Sequence, residues 1–241
     1  MPYAFAHPAA VVPVARLLGS AAVPSALVIG SMVPDAWYFV PGVKRGDTHH
    51  LLGVLWFCLP AGLVAYAAFH LLFKEPLLAL LPRRLAARLA AWATHGLPPV
   101  PWRYVVGSLL AGIATHLLWD AFTHKGTLPV TGMPHRILQH ASTIGGTVFL
   151  AWWLSRKIAQ APARSGLPQI DARIRAAVLA AMVVLPCAAF VSVLQGVYID
   201  ELRAAVRAAG VVAVSTFGLI ALVFAVAWKV LAPHFARHFD H

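Results

Sequence analysis

The stretch Tyr104-Val-Val-Gly-Ser-Leu-Leu-Ala-Gly-Ile-Ala-Thr-His-Leu-Leu-Trp-Asp-Ala-Phe122 decides the fold. It is apolar over nearly the roughly 20 residues that an α-helix needs to cross a bilayer. Yet it holds His116 and Asp120, four residues apart and therefore on one helical face. A carboxylate in lipid costs about 2.5–3.5 kcal/mol on insertion scales, so it normally faces the bundle interior and has a partner. A span of this kind implies a protein whose helices enclose something polar.

Four further segments read as spans: 51–73, 143–154 with its flanks, 174–197 and 206–231. Arg156 and Lys157 end the middle one early. Composition agrees. Of 241 residues, 60% are hydrophobic and only 11% charged, whereas a soluble domain carries about 25% charged residues. Mean hydropathy is +0.76. The fold class is therefore all-α: a polytopic integral membrane bundle of about five transmembrane helices, forming one membrane domain over 1–241. Spans one to three fall in 51–155, and spans four and five in 174–231. Residues 1–50 differ, because Pro8, Pro13, Pro24, Pro34 and Pro41 interrupt short apolar runs. They read as short interfacial or re-entrant helices, which survive at depth only where protein covers them or they line a cavity.

The formal net charge of +11 does not indicate nucleic acid. The cations form short blocks between apolar runs, as in membrane loops, rather than a stripe interleaved with aromatics. Lys74, Arg83, Arg84, Arg88 and Arg103 lie between spans one and two, and Arg156, Lys157, Arg164, Arg173 and Arg175 between spans three and four. These basic loops are expected in the cytoplasm. Residues 1–50, the 125–140 loop and the loop around Asp200 then face outward. The two cysteines, Cys58 and Cys187, both sit in apolar runs and suggest no disulfide framework.

The chemistry-bearing residues cluster on that outer side. His116, Asp120 and His124 form one stripe near the outer end of span two. Imidazoles and a carboxylate on one face suit a divalent metal, and they equally suit a polar pair that joins two helices. His7 before Pro8, Asp35 after Pro34, and His49 at the entrance to span one lie on the same predicted side. Asp35 and Asp120 are the two acidic residues in strongly apolar surroundings. His7, Asp35, His49, His116 and Asp120 are thus metal-ligand candidates. Asp35, Asp120 and His124 are candidates for base or proton shuttle. Lys125, His135 and Arg136 in the outer loop could hold an anionic substrate.

The motifs Met1-Pro2…His7-Pro8-Ala9-Ala10, Val33-Pro34-Asp35, Thr48-His49…Leu-Leu-Gly53 and Thr115-His116-Leu-Leu-Trp-Asp120-Ala-Phe-Thr-His124 resemble a family of uncharacterised bacterial membrane proteins. The resemblance covers roughly residues 1–155. More distantly, the pattern is similar to inner-membrane metal-dependent hydrolases, and through them to zinc-dependent phospholipases C. That likeness implies metal ligation by His7, Asp35, His49, His116 and Asp120. The chain departs from the hydrolase pattern at His50, where those proteins have Ser. It departs again after Asp35, where Ala36-Trp37 replaces a second Asp.

The expectation is a zinc-dependent hydrolase in the bacterial cytoplasmic membrane. Its site faces outward and acts on an ester or phosphoester, lipid headgroups included. Its partners are membrane lipids and a small-molecule or lipid phosphoester, not nucleic acid. A structural or partner-binding membrane protein and a proton-relay or transport protein are the alternatives.

Overall fold

The computed structural model describes residues 6–90, 92, 96–123, 133–164, 170–195, 197–198 and 201–236. Among these the regular structure is entirely helical. The helices are α1 (Pro8–Leu18), α2 (Pro24–Met32), α3 (Arg45–Thr48), α4 (Leu51–Leu80), α5 (Arg83–Leu89), α6 (Trp102–Thr123), α7 (Met133–Gln160), α8 (Ala172–Leu194) and α9 (Leu202–Ala236). A 3₁₀ turn, Val33–Phe39, follows α2. Residues 6–50 are thus a run of short helices, as their prolines lead one to expect.

Four of these stretches are long and apolar enough to cross a membrane: Leu51–Leu80, Trp102–Thr123, Ala172–Leu194 and Ala204–Leu231. They correspond to four of the five expected spans. The fifth expected span, 143–154, lies inside α7 and does not qualify. Gln139, His140, Ser142 and Thr143 precede its apolar stretch and Arg156 and Lys157 follow it, so the 28-residue helix is long but too polar. Among the described residues four helices thus qualify, in keeping with a bundle of about five. Large apolar side chains on α8 and α9, among them Val183, Val184, Leu219 and Val223, face outward. Lipid is the solvent such faces require.

The chain divides into two compact units. The first comprises residues 1–68 and 98–160. In it α2 packs along α6 and α1 lies against α2, α6 and α7. Glycines set the α2–α6 crossing. A Cβ on Gly30 would run into the backbone of Leu109, and one on Gly112 into the carbonyl of Leu27. Small residues at such crossings let helix backbones touch. Val23 N–H, at the start of α2, donates to Ser108 Oγ on α6 at 2.9 Å. Val33, Val54, Phe57, Cys58 and Ile113 form a core beside this crossing.

The second unit comprises residues 69–97 and 161–241. Here α8 packs along α9, with Leu80, Met182 and Ala221 at the centre of an apolar cluster. Lys229 Nζ reaches Glu75 Oε2 at 2.6 Å. Asp171 caps α8 by accepting from Arg173 N–H at 2.8 Å. Within α4, π-helical turns at Val54–Cys58 and Phe69–Phe73 precede Pro60 and Pro76. A proline removes one helical N–H and crowds the carbonyl four residues back, and a wider turn relieves both problems.

Candidate metal centre

Four separate segments of the first unit converge on one buried point. His7 immediately precedes α1, where Pro8 occupies the first helical position. Asp35 sits in the 3₁₀ turn that Pro34 helps to start. His49 ends α3, and α6 contributes His116 and Asp120. His7, Asp35, His116 and Asp120 are all buried, and the His49 side chain is only 8% exposed.

The backbone contacts that hold each group are local and specific. Close approach at Gly30 and Gly112 brings the Ser31 carbonyl within 2.8 Å of His116 Nδ1. A carbonyl can only accept, so Nδ1 carries the proton and Nε2 keeps its lone pair. His49 is arranged likewise. Its Nδ1 lies 3.2 Å from the Arg45 carbonyl and 2.8 Å from Thr48 Oγ1. The α3 turn itself rests on the start of α4, where a Cβ on Gly53 would strike the backbone of Asp47 and Thr48. Asp47 Oδ2 accepts from Lys44 N–H at 2.8 Å and closes that turn.

The bare nitrogens and carboxylate oxygens then face one another. His49 Nε2 is 3.3 Å from Asp120 Oδ2 and 3.8 Å from Asp35 Oδ1. His116 Nε2 is 3.6 Å from Asp120 Oδ2 and 3.9 Å from Asp35 Oδ1. His7 Nε2 is 3.9 Å from Asp120 Oδ1, and its ring stacks on that of His116 at 4.0 Å between centroids. Two overlapping triads result, His7–His116–Asp120 and Asp35–His49–His116, each with donor atoms within 4.8 Å of one another. Ligand atoms about 2.1 Å from a shared zinc stand about 3.4 Å apart at tetrahedral angles. These nitrogen–oxygen separations run from 3.3 to 3.9 Å, at and somewhat above that value.

Buried His49 Nε2, His116 Nε2 and Asp35 Oδ1 have no hydrogen-bond partner. Buried polar atoms normally have one, and a cation shared by all three would satisfy them together. These residues fit a divalent ion. His116 belongs to both triads and joins them. Burial, foremost, lifts the Asp35 carboxyl above its ordinary range, and the Asp120 charge adds to the effect; His116, His49 and Arg45 oppose it.

All five expected ligands meet here. Among the expected catalytic residues, Asp35 and Asp120 take part, while His124 lies outside the described residues. Lys125 also lies outside them. His135 and Arg136 belong to the first turn of α7, with side chains outside the described part. His50 is a cap rather than a ligand: its Nδ1 accepts from Gly53 N–H at 3.2 Å. Buried His70 belongs to the second unit, where Lys74 Nζ lies 3.1 Å from its Nδ1.

Sequence reasoning missed Arg45. Its Nη2 donates to Asp120 Oδ2 at 2.7 Å, and its side chain is 36% exposed. The signal was present. Arg45 precedes His49 by four residues, one helical turn, and places a cation on the side that the charge rule assigns to the exterior.

A family model described as a domain of unknown function, DUF4184, matches residues 1–228. The match runs through α8 and most of α9, well past residue 155 where the recognisable motifs end. No curated protein and no solved structure shows significant similarity to the chain.

Proposed function

The chain belongs to the DUF4184 family, and from that premise we propose that it is a membrane-embedded, metal-dependent hydrolase of esters or phosphoesters, with zinc as its ion. One observation carries the reading. Three imidazoles and two carboxylates from four segments form two triads joined at His116, with three of their side-chain donor atoms lacking a hydrogen-bond partner. Nitrogen and carboxylate donors in so small a site suit zinc.

When bound, such an ion lowers the pKa of a water toward about 7 and polarises a phosphoryl or carbonyl oxygen. The rest falls to the chain. His49 and His116 present their Nε2 atoms because backbone carbonyls hold Nδ1–H on both rings. Asp35, a buried carboxylate beside the donor nitrogens, is the group assigned to take and return a proton. Arg45 holds Asp120 and reaches the partly exposed mouth of the site. Two carboxylates against one guanidinium and a divalent ion leave one net positive charge, which favours an anionic substrate. Arg83, Arg84 and Arg88, in the loop at the opposite end of α6 from the centre, support an outward-facing site in a cytoplasmic membrane.

Metal analysis of the purified chain tests this reading. About one equivalent of zinc is expected in the wild type. Far less is expected after combined His116→Ala and Asp120→Ala substitution. Sub-stoichiometric metal in both would sink it. The Arg45–Asp120 pair would then favour a second reading, in which the polar cluster pins α3 to α6 and does no chemistry.

A further inference from the structure

An apolar cavity of about 450 Å³ lies between α1, α6 and α7, lined by His7, Ala10, Trp119, Leu138, Gly145 and Phe149 among others. The volume falls within the range of roughly 300–1,000 Å³ typical of ligand pockets. Its walls are almost wholly hydrocarbon and aromatic. The exception that matters is His7, because the same ring stacks on His116 and points Nε2 toward Asp120. One side chain is therefore shared by the cavity and the donor cluster.

We propose that this cavity holds the hydrocarbon chain of an anionic amphiphile whose polar head lies at the metal centre. The inference rests on the metal-centre reading above and names its substrate class: a long-chain phosphoester rather than a soluble one. Three observations support it. The cavity borders the site at His7, whose ring forms part of both. Apart from His7 and the Trp119 indole, the polar side chain on its lining is Ser142, whose Oγ already donates to the Gln139 carbonyl at 3.0 Å. The centre with a divalent ion carries net positive charge, which suits an anionic head. A molecule that satisfies both halves at once is an amphiphile, and a chain with four membrane-length helices resides among such molecules.

Gly145 offers a clean means of closing the cavity. A Cβ there meets nothing within 4 Å, and replacing a mid-helix glycine improves helix propensity. Gly145→Leu should fill the space without moving α1 or α6. The test uses the full chain in lipid nanodiscs, loaded with zinc, and measures competing affinities for inorganic phosphate and dodecyl phosphate. In the wild type, dodecyl phosphate should bind at least about tenfold more tightly, since burying about two methylene groups is worth that much. Gly145→Leu should bind zinc and inorganic phosphate as the wild type does and lose most of the preference for the chain. Partition of the probe into lipid affects both proteins alike, so the difference between them carries the result. If Gly145→Leu loses zinc through misfolding, Ser142→Leu, which enters the same cavity from one turn earlier, supplies the comparison. Equal preference in wild type and a zinc-loaded variant would overturn the inference while leaving the metal centre standing. A wild type that binds neither zinc nor phosphate would overturn the underlying reading and this inference with it.

Discussion

At the scale of single residues, the centre carries an electrostatic cost that a metal would offset. Asp35 is buried beside Asp120, and desolvation, foremost, holds its carboxyl above the ordinary range. A carboxyl with a raised native pKa binds protons more tightly folded than unfolded. The metal-free protein should therefore lose stability as pH rises above about 3.9, the value Asp takes when unfolded. Asp35→Asn removes that group from titration. In metal-free protein it should flatten the fall and raise the unfolding midpoint at neutral pH, while weakening metal binding. Thermal unfolding across pH, with and without zinc, reads both effects. A variant with a lower midpoint in chelator at neutral pH would contradict this account. The ligand types themselves were legible in the sequence, because His and Asp stand out in apolar surroundings. For Arg45 only its place one turn before His49 was legible; its pairing with Asp120, 75 residues away, was not, because no local pattern encodes it.

At the scale of elements, the site depends on how closely α2 can approach α6. The two backbones touch at Gly30 and Gly112, and that contact sets the 2.8 Å bond between Ser31 O and His116 Nδ1. Backbone cannot yield as a flexible side chain can. Gly112→Ala should cost about 1–3 kcal/mol, as overpacking generally does. It should also weaken metal binding by about 10–100-fold, the usual effect of losing a group that orients a ligand. Gly107, on the same helix, has open space at its Cβ position. Gly107→Ala should be neutral or mildly stabilising. Equal metal affinity in the two alanine variants would show that the crossing does not govern the site. The spans themselves were readable from apolar length, and the short N-terminal helices from prolines. The contact between α2 and α6 was not, because a glycine in a helix does not announce which backbone it will meet. Helix α7 shows the opposite failure: a short apolar run looked like a span until its polar flanks proved to belong to the same helix.

At the scale of the whole molecule, what matters is which side of the membrane the centre faces. The loop between the first two spans carries Arg83, Arg84 and Arg88, which assigns it to the cytoplasm. Within the first unit, Arg103 opens α6 and Asp120 lies near its other end. The 22 residues of α6 rise about 33 Å at 1.5 Å each, enough to cross the hydrocarbon core. Arg103 and the centre should therefore sit at opposite faces. Lys44 is exposed beside Arg45 and should share the face of the centre. In a background with Cys58→Ala and Cys187→Ala, a membrane-impermeant maleimide added to intact cells should label Lys44→Cys and spare Arg103→Cys. Permeabilised cells should label both. The reverse pattern would place the centre in the cytoplasm and restrict its amphiphilic substrate to the inner leaflet. Labelling of both residues in intact cells would mean that α6 does not cross, leaving its apolar length without a membrane to explain it.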